Sequence, residues 1–555
     1  MKIFSNIIAF FIVGNLFSQN PVPDFTGTKR YWVTFTDKSN TPYTTQSPEA
    51  YLSKKAIARR VKYNIPITPQ DFPINPSYLK SITDIGASLQ CRTKWLNAAI
   101  VIPFTDEQVE AIRALPFIKN IELAAPYKKP KRTNGANKDA TTTYQQAIAK
   151  QNSQPSIDYK NIPYGAGEKQ ATMCRTNVLH SQNYLGQGMT IAIFDVGFYH
   201  ADTIKAFQRL YTNGQILGTK DFVAGGSSVY EDGWHGMQVL SCIASYLPNK
   251  FIGTAPEASF WLFRTEDDVS ETMVEEVNWA NAVEMADSVG ADVINSSLGY
   301  TNFDNPATSY TYKDMTGDVT IAARAADIAA SKGILIVNSA GNAAEEDWHY
   351  IGTPADGDSV LAIGAVDING KYASFSSVGP APDGRIKPNV SCLGLSATVI
   401  NPAGQVATAT GTSFASPIMA GMVTCLWQAN PSSTNMEVID ALQRSANKAN
   451  TPNGEIGYGI PNLAYAHFLL QNKSKMPNVG IVEASSKNNS IDVVIYSASN
   501  QKVKIIIKDK NGKKLAKNKI KLLANQLTNW NSLIPNAYTI EIQGNKSKCM
   551  QVVVE

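Results

Sequence analysis

Met189-Thr190-Ile191-Ala192-Ile193-Phe194 is an almost wholly apolar run that stops on a carboxylate, Asp195. A strand with one wet face would alternate apolar and polar residues. A run without that alternation is buried on both faces, as in a parallel sheet covered by helices. Similar runs occur at 260–263, 293–294, 334–337 and 360–363, with helical stretches at 271–289 and 319–331 between them. Strand and helix in alternation predict an α/β fold, a doubly wound parallel sheet. In such sheets the working residues gather at the carboxyl ends of the strands. Those ends are Asp195, Asn295-Ser296-Ser297-Leu298-Gly299 and Asn338-Ser339-Ala340-Gly341-Asn342.

Further along lies Gly411-Thr412-Ser413-Phe414-Ala415-Ser416-Pro417, followed by an apolar run from Ile418 to Trp427. That run has no polar face, so it predicts a buried helix, with Pro417 in its first turn. Ser413 then stands at the helix start, beside unpaired N–H groups and the positive dipole end. This setting suits a nucleophile, because negative charge develops next to it during acyl transfer. The competing reading is a serine that only caps the helix.

A nucleophilic serine needs a base, and the chain has five histidines. His467 lies in a late helix, His349 in an acidic loop, and His180 and His200 head no apolar helix. His235 differs: it follows Glu231-Asp232-Gly233-Trp234 and precedes Gly236 and an apolar helical pattern. Asp195, ending a buried strand, needs a partner, and His235 Nδ1–H would supply one. His235 Nε2 would then take the Ser413 proton, and the Asn342 side chain with the Ser413 N–H would form an oxyanion hole. The order Asp, His, Ser is that of subtilisin, and Ala415 stands where a nucleophile elbow needs glycine, so a lipase or esterase of the α/β-hydrolase type is disfavoured.

These motifs together resemble the subtilisin-like serine peptidases over residues 165–472. The match is carried by Ile193-Phe194-Asp195-Val196-Gly197, His235-Gly236, Ser297-Leu298-Gly299, Ala340-Gly341-Asn342 and the stretch around Ser413. The resemblance implies a catalytic set of Asp195, His235, Ser413 and Asn342. It implies substrate contacts at Ser297, Leu298, Gly299, Ser339, Ala340 and Gly341, where an extended peptide adds to the sheet edge. Met237-Gln238 departs from the family's Thr-His. The resemblance calls for no cofactor in the chemistry but admits a structural calcium, with Asp304, Asp314 and Asp318 as loop acids. Glu345, Glu346 and Asp347 suggest a preference for basic side chains.

Around this domain the composition changes. Residues 1–18 read as a secretory leader, with Lys2 before an apolar stretch too short to span a membrane. Residues 19–125 read as a small α+β domain, with a strand at 31–35, a helix whose Lys/Arg-rich face is solvated at 48–63, a strand at 95–102 and a capping box from Thr105 to Gln108. By the resemblance this is an inhibitory pro-segment; a permanent accessory domain is the alternative. Residues 126–164, with Lys128-Lys129-Pro130-Lys131-Arg132, read as an exposed processing linker. Residues 476–555 alternate like strands, with a hairpin turn at Asn511-Gly512. They predict a β-sandwich that resembles the C-terminal sorting domains of the Por-type (type IX) secretion system. A carbohydrate- or surface-binding module is the rival.

The 43% hydrophobic content supports a large core, and a net charge of +4 points to no nucleic-acid partner. Six cysteines without C-x-x-C pairs indicate neither zinc nor a disulfide framework, and Cys242 and Cys425 read as inert buried thiols. The expectation is a zymogen of a serine endopeptidase, secreted or held at the cell surface after crossing inner and outer membranes. Its expected partners are polypeptide substrates, its own pro-segment and the secretion machinery. The alternative is a catalytically silent surface or adhesion protein on the same fold.

Overall fold

Alternate residues of Thr190–Asp195 feed two separate cores, as a strand covered on both faces requires. Ile191 and Ile193 pack on one side with Met237, Leu240 and Met419, while Ala192 and Phe194 pack on the other with Trp279 and Val283. The computed structural model describes residues 29–126, 161–487, 490–524, 526–534, 539–544 and 550–553. The expected leader, most of the linker and Asn536-Ala537-Tyr538 lie outside the described residues.

The amino-terminal unit contains β1 (Lys29–Phe35), α1 (Lys54–Lys62), α2 (Pro76–Asp84), β2 (Ser88–Thr93), β3 (Ala98–Ile102), α3 (Asp106–Arg113) and β4 (Ile118–Pro126). Its sheet is antiparallel in the order β2-β3-β1-β4. The Thr105–Gln108 capping box forms as expected. The strand expected at 95–102 begins only at Ala98, because residues 94–97 turn and Asn97 is left-handed at φ 50. That turn makes a hairpin with β2, which the sequence reading missed.

The central domain holds β5 (Thr190–Asp195), β6 (Ile216–Asp221), α4 (His235–Ala244), β7 (Ser259–Arg264), α5 (Met273–Val289), β8 (Val293–Ser296), α6 (Ile321–Ser331), β9 (Leu335–Ser339), β10 (Val360–Val366), β11 (Val390–Leu393) and α7 (Thr412–Ala429). Seven parallel strands run in the order β11-β10-β9-β8-β5-β7-β6. Two of them escaped the sequence reading. β6 is an edge strand with half-buried residues and so lacks an apolar run, and β11 has only four residues. Helix α7 is buried almost throughout, as its pattern predicts, but Pro417 lies inside the helix and not in its first turn.

The amino-terminal unit shares a core with this domain. Trp32, Trp95, Ile100 and Ala125 pack in one cluster with Val283 and Ala286 of α5. Arg59 and Arg60, read from sequence as part of a solvated basic face, are 5% and 1% exposed. Both reach Asp287 of α5, and Arg60 also holds Asp71, at 2.9 Å. The carboxylate of Glu284 accepts the backbone N–H groups of Lys94 and Trp95. Helical periodicity marked a basic face, and only docking against α5 buried it.

The carboxy-terminal strands form two antiparallel sheets that close on one apolar cluster, including Ile491, Ile495, Ile505, Ile507 and Ile540. The strands Gln501–Lys508 and Lys514–Leu522 pair across Asn511-Gly512, where Gly512 has φ 79. This is the expected hairpin. Among the described residues no helix is long and apolar enough to cross a membrane.

Candidate active site

β5 delivers Asp195 at its carboxyl end, fully buried, in register with Arg264 of β7. His235 is the first residue of α4, and its Nδ1 lies 2.9 Å from Asp195 Oδ1 and 3.1 Å from Oδ2. Gly236 permits that approach. A Cβ there would sit 2.7 Å from Asp195 Cβ and 2.3 Å from the Gly197 carbonyl oxygen. Burial pulls the His235 imidazole down, but the charge and hydrogen bond of Asp195, with a smaller contribution from Asp268, more than reverse this. The ring therefore holds its proton more tightly than an ordinary imidazole, as expected beside a buried carboxylate.

The other four histidines are occupied elsewhere. His180 is buried between the Tyr164 hydroxyl and the Thr254 carbonyl, and burial pushes it down to about 4, so it stays neutral. His467 accepts from Asn430, His349 bonds the Ala344 carbonyl in an exposed turn, and His200 stacks on Tyr199.

Ser413 lies in the first turn of α7, beside Phe414, whose ring centroid is 5.7 Å from that of His235. Its Oγ is 3.4 Å from the Ser297 carbonyl oxygen, and its own carbonyl accepts from Ser297 Oγ at 2.9 Å. The strand-end serine and the helix-start serine are thus tied in both directions. Ser416 Oγ adds a further link to Asn295, at 2.9 Å.

Asn342 follows β9 through Gly341, which takes φ 105. Thr412 donates to Asn342 Oδ1 from both its N–H and its Oγ1, each at 2.9 Å. Two donors therefore hold the oxygen of the amide. Thr412 Oγ1 also accepts from the Gly341 N–H at 3.2 Å. Sequence reasoning quoted Thr412 but gave it no role; its signal was a hydroxyl next to the proposed nucleophile.

Leu298 and Gly299 continue beyond β8, with Gly299 exposed and the Leu298 carbonyl held by Asn338 Nδ2 at 2.9 Å. Ser339 and Ala340 are buried at the end of β9. Met237 is fully buried in the core, and Gln238 of α4 is 7% exposed. Glu345, Glu346 and Asp347 are exposed. Behind Asp195, Arg264 ties Asp221 and Asp232 with contacts of 3.3 Å and 3.1 Å, a buried support that no sequence signal announced. No group of three or more His, Cys, Asp or Glu among the described residues is arranged to hold a metal ion. Burial pushes the Cys242 and Cys425 thiols up, in keeping with inert core residues.

A seven-stranded parallel sheet with an aspartate, a histidine-led helix and a helix with a serine in its first turn at its carboxyl edge defines the subtilisin-like class of serine peptidase. The chain belongs to the subtilase family. That family's model matches residues 186–459, and the model of the Peptidase S8 propeptide domain of Bacteroidota matches residues 30–152. Subtilisin NAT of Bacillus subtilis subsp. natto is 30% identical over 337 residues, covering 58% of this chain and 78% of the relative. Subtilisin of Bacillus pumilus is 30% identical over 294 residues, covering 52% and 92%. The solved MycP3 protease of the type VII (ESX-3) secretion system is 22% identical, with a TM-score of 0.44 over 55% of this chain and 89% of that one. The protein is a serine-type endopeptidase, and its amino-terminal unit is a propeptide domain that acts as an intramolecular inhibitor.

Proposed function

We propose that the protein is a secreted serine endopeptidase made as a zymogen, with Asp195, His235 and Ser413 as its triad and Asn342 as its oxyanion residue. The observation that carries this reading is the 2.9 Å hydrogen bond from His235 Nδ1 to the buried Asp195 carboxylate. It fixes the tautomer, so that Nε2 is the free base. Ser413 Oγ attacks the scissile carbonyl while Nε2 takes its proton. Asn342 Nδ2 and the Ser413 N–H stabilise the oxyanion, and the imidazolium returns the proton to the leaving amine. Water, activated by the same base, then releases the acyl group. Ser297-Leu298-Gly299 pairs with the substrate backbone, and Ser339-Ala340-Gly341 flanks it on the other side.

The chain divides, in this reading, into a leader (1–18), a pro-segment (19–125), a processing region (126–164), the peptidase domain (165–472) and a sorting β-sandwich (476–555) recognised by a Por-type secretion machinery. The protein then works outside the cell or at its surface. Every chemical step falls to protein groups, and a structural calcium in the loop at 300–320 remains part of the proposal.

Intact-mass analysis of the chain without its leader, beside Ser413→Ala, tests the core of this reading. The expected result is loss of the amino-terminal segment near 126–164 in wild type alone, together with fluorophosphonate labelling of wild type. Two uncleaved, unlabelled proteins would overturn it and leave a silent scaffold. Calcium is tested separately: chelation should lower the melting temperature, and an unchanged value removes that assignment. Fusing residues 476–555 to a carrier in a host with that machinery should deliver the carrier outside the cell; retention removes the sorting role.

A further inference from the structure

Residues 476–555 carry twelve lysines against five carboxylates, while the whole chain is only +4, so the rest of it is net negative. Nine of those lysines fall between 502 and 521, on the hairpin that turns at Asn511-Gly512. On its first strand, Gln501–Lys508, Lys502 and Lys504 are exposed while Val503, Ile505 and Ile507 are buried in the sandwich core. On its second, Lys514–Leu522, Lys517, Lys519 and Lys521 are exposed, and Ala516 and Ile520 pack against that core. Strand alternation thus puts these five lysines on one outer face. The antiparallel register sets Lys502 opposite Lys521 and Lys504 opposite Lys519. Such cross-strand neighbours stand about 5 Å apart, and like charges so placed destabilise a sheet.

Lysines on an edge strand keep it from pairing with another chain. That accounts for Lys514–Leu522, which ends its sheet, but not for Lys502 and Lys504, whose strand is bonded on both sides. The acids nearest the face are already used. Asp509 accepts the Asn511 and Lys513 N–H groups in the turn, and Glu541 is engaged by Lys508. A multivalent anion laid across the face removes the repulsion. Its chemistry follows from the choice of residue, for no arginine occurs in 476–555. Arginine's planar fork suits a partner fixed in place, whereas a lysine ammonium is a point charge on a flexible stem and follows phosphates that move laterally. Leu515 and Leu523 continue the same alternation at the two ends of the lysine row, 37% and 44% exposed. Exposed leucines beside lysines suit a lipid layer, which takes apolar side chains below its charged headgroups.

We propose that this lysine face is a docking surface for a bilayer rich in anionic phospholipid headgroups, with Leu515 and Leu523 entering it at the two ends. The sandwich then seats the peptidase domain against a membrane surface by adhesion to the headgroups. The contact is independent of the catalytic groups.

The test is sedimentation of the full chain, without its leader and carrying Ser413→Ala to keep it uncut. The vesicles are phosphatidylcholine alone, or phosphatidylcholine and phosphatidylglycerol in equal parts. Binding should require phosphatidylglycerol and weaken as salt is raised. Lys502→Gln/Lys504→Gln/Lys519→Gln/Lys521→Gln should lower partitioning by about two orders of magnitude, near fivefold per lysine. The melting temperature of that variant should be unchanged or higher, because the opposed charges are gone, so that lost binding is not lost fold. As many changes at exposed lysines elsewhere, Lys119→Gln/Lys205→Gln/Lys313→Gln/Lys371→Gln, should leave most of the binding. Equal loss in the two variants would show that overall charge binds and not this face, and overturns the proposal. So does binding to both kinds of vesicle alike, or to neither. Capture on immobilised dextran sulfate without vesicle binding assigns the face to a soluble polyanion and overturns the lipid partner.

Discussion

Ser297 Oγ donates to the Ser413 carbonyl at 2.9 Å, and Pro417 is the reason that oxygen is available. In a helix the carbonyl of residue 413 would accept the N–H of residue 417, and proline has none. Ser297 fills the gap, so a break in helical bonding becomes the tie between the proposed nucleophile and the proposed binding edge.

Ser297→Ala should therefore leave the Ser413 carbonyl without either donor and cost about 1–2 kcal/mol. Adding Pro417→Ala returns a helical N–H and should recover part of the loss. Urea unfolding of the full chain carrying Ser413→Ala gives the double-mutant cycle. Additive effects at the two sites would sink the idea.

Asn342→Ala should lower kcat by about two to three orders of magnitude with little change in KM. Thr412→Val keeps the Thr412 N–H bond to Asn342 but loses the hydroxyl, so it should fall between wild type and Asn342→Ala, near tenfold. A Thr412→Val enzyme that changes KM alone would show that Thr412 does not orient the amide.

The pH dependence follows from His235. In the proposed triad it acts as base only when neutral, and Asp195 raises its proton affinity above the ordinary value of 6.5. The acid limb of kcat/KM should then have its midpoint above pH 6.5, with activity rising as pH rises through it. Asp195→Asn removes the charge and leaves burial to act, so the midpoint should move down while kcat falls by about four orders of magnitude. A midpoint unmoved in that variant would break the link.

The docked propeptide depends on Asp287. Burial raises its pKa, but Arg59 and Arg60 lower it further, to about 2 from 3.8. The stabilisation is present above its unfolded value and lost as pH falls from about 4 toward 2. Asp287→Ala strands two buried arginines and should cost about 3–5 kcal/mol in the Ser413→Ala zymogen. Thermal melts from pH 2 to 7 check both points; a variant as stable as its parent at pH 7 would remove the buried network from the account of docking.

The sequence by itself determined the parallel sheet, the buried helix after Ser413 and the pairing of Asp195 with His235. These are local signals: apolar runs without alternation, a carboxylate closing one of them, and glycines flanking His235. Edge strand β6 stayed hidden because its residues are half-buried and carry no run. The burial of Arg59 and Arg60 and the Thr412 clamp on Asn342 were decided by tertiary structure alone. Each joins residues from distant parts of the chain, and periodicity reports which face is apolar without saying what that face, or its polar neighbour, will meet.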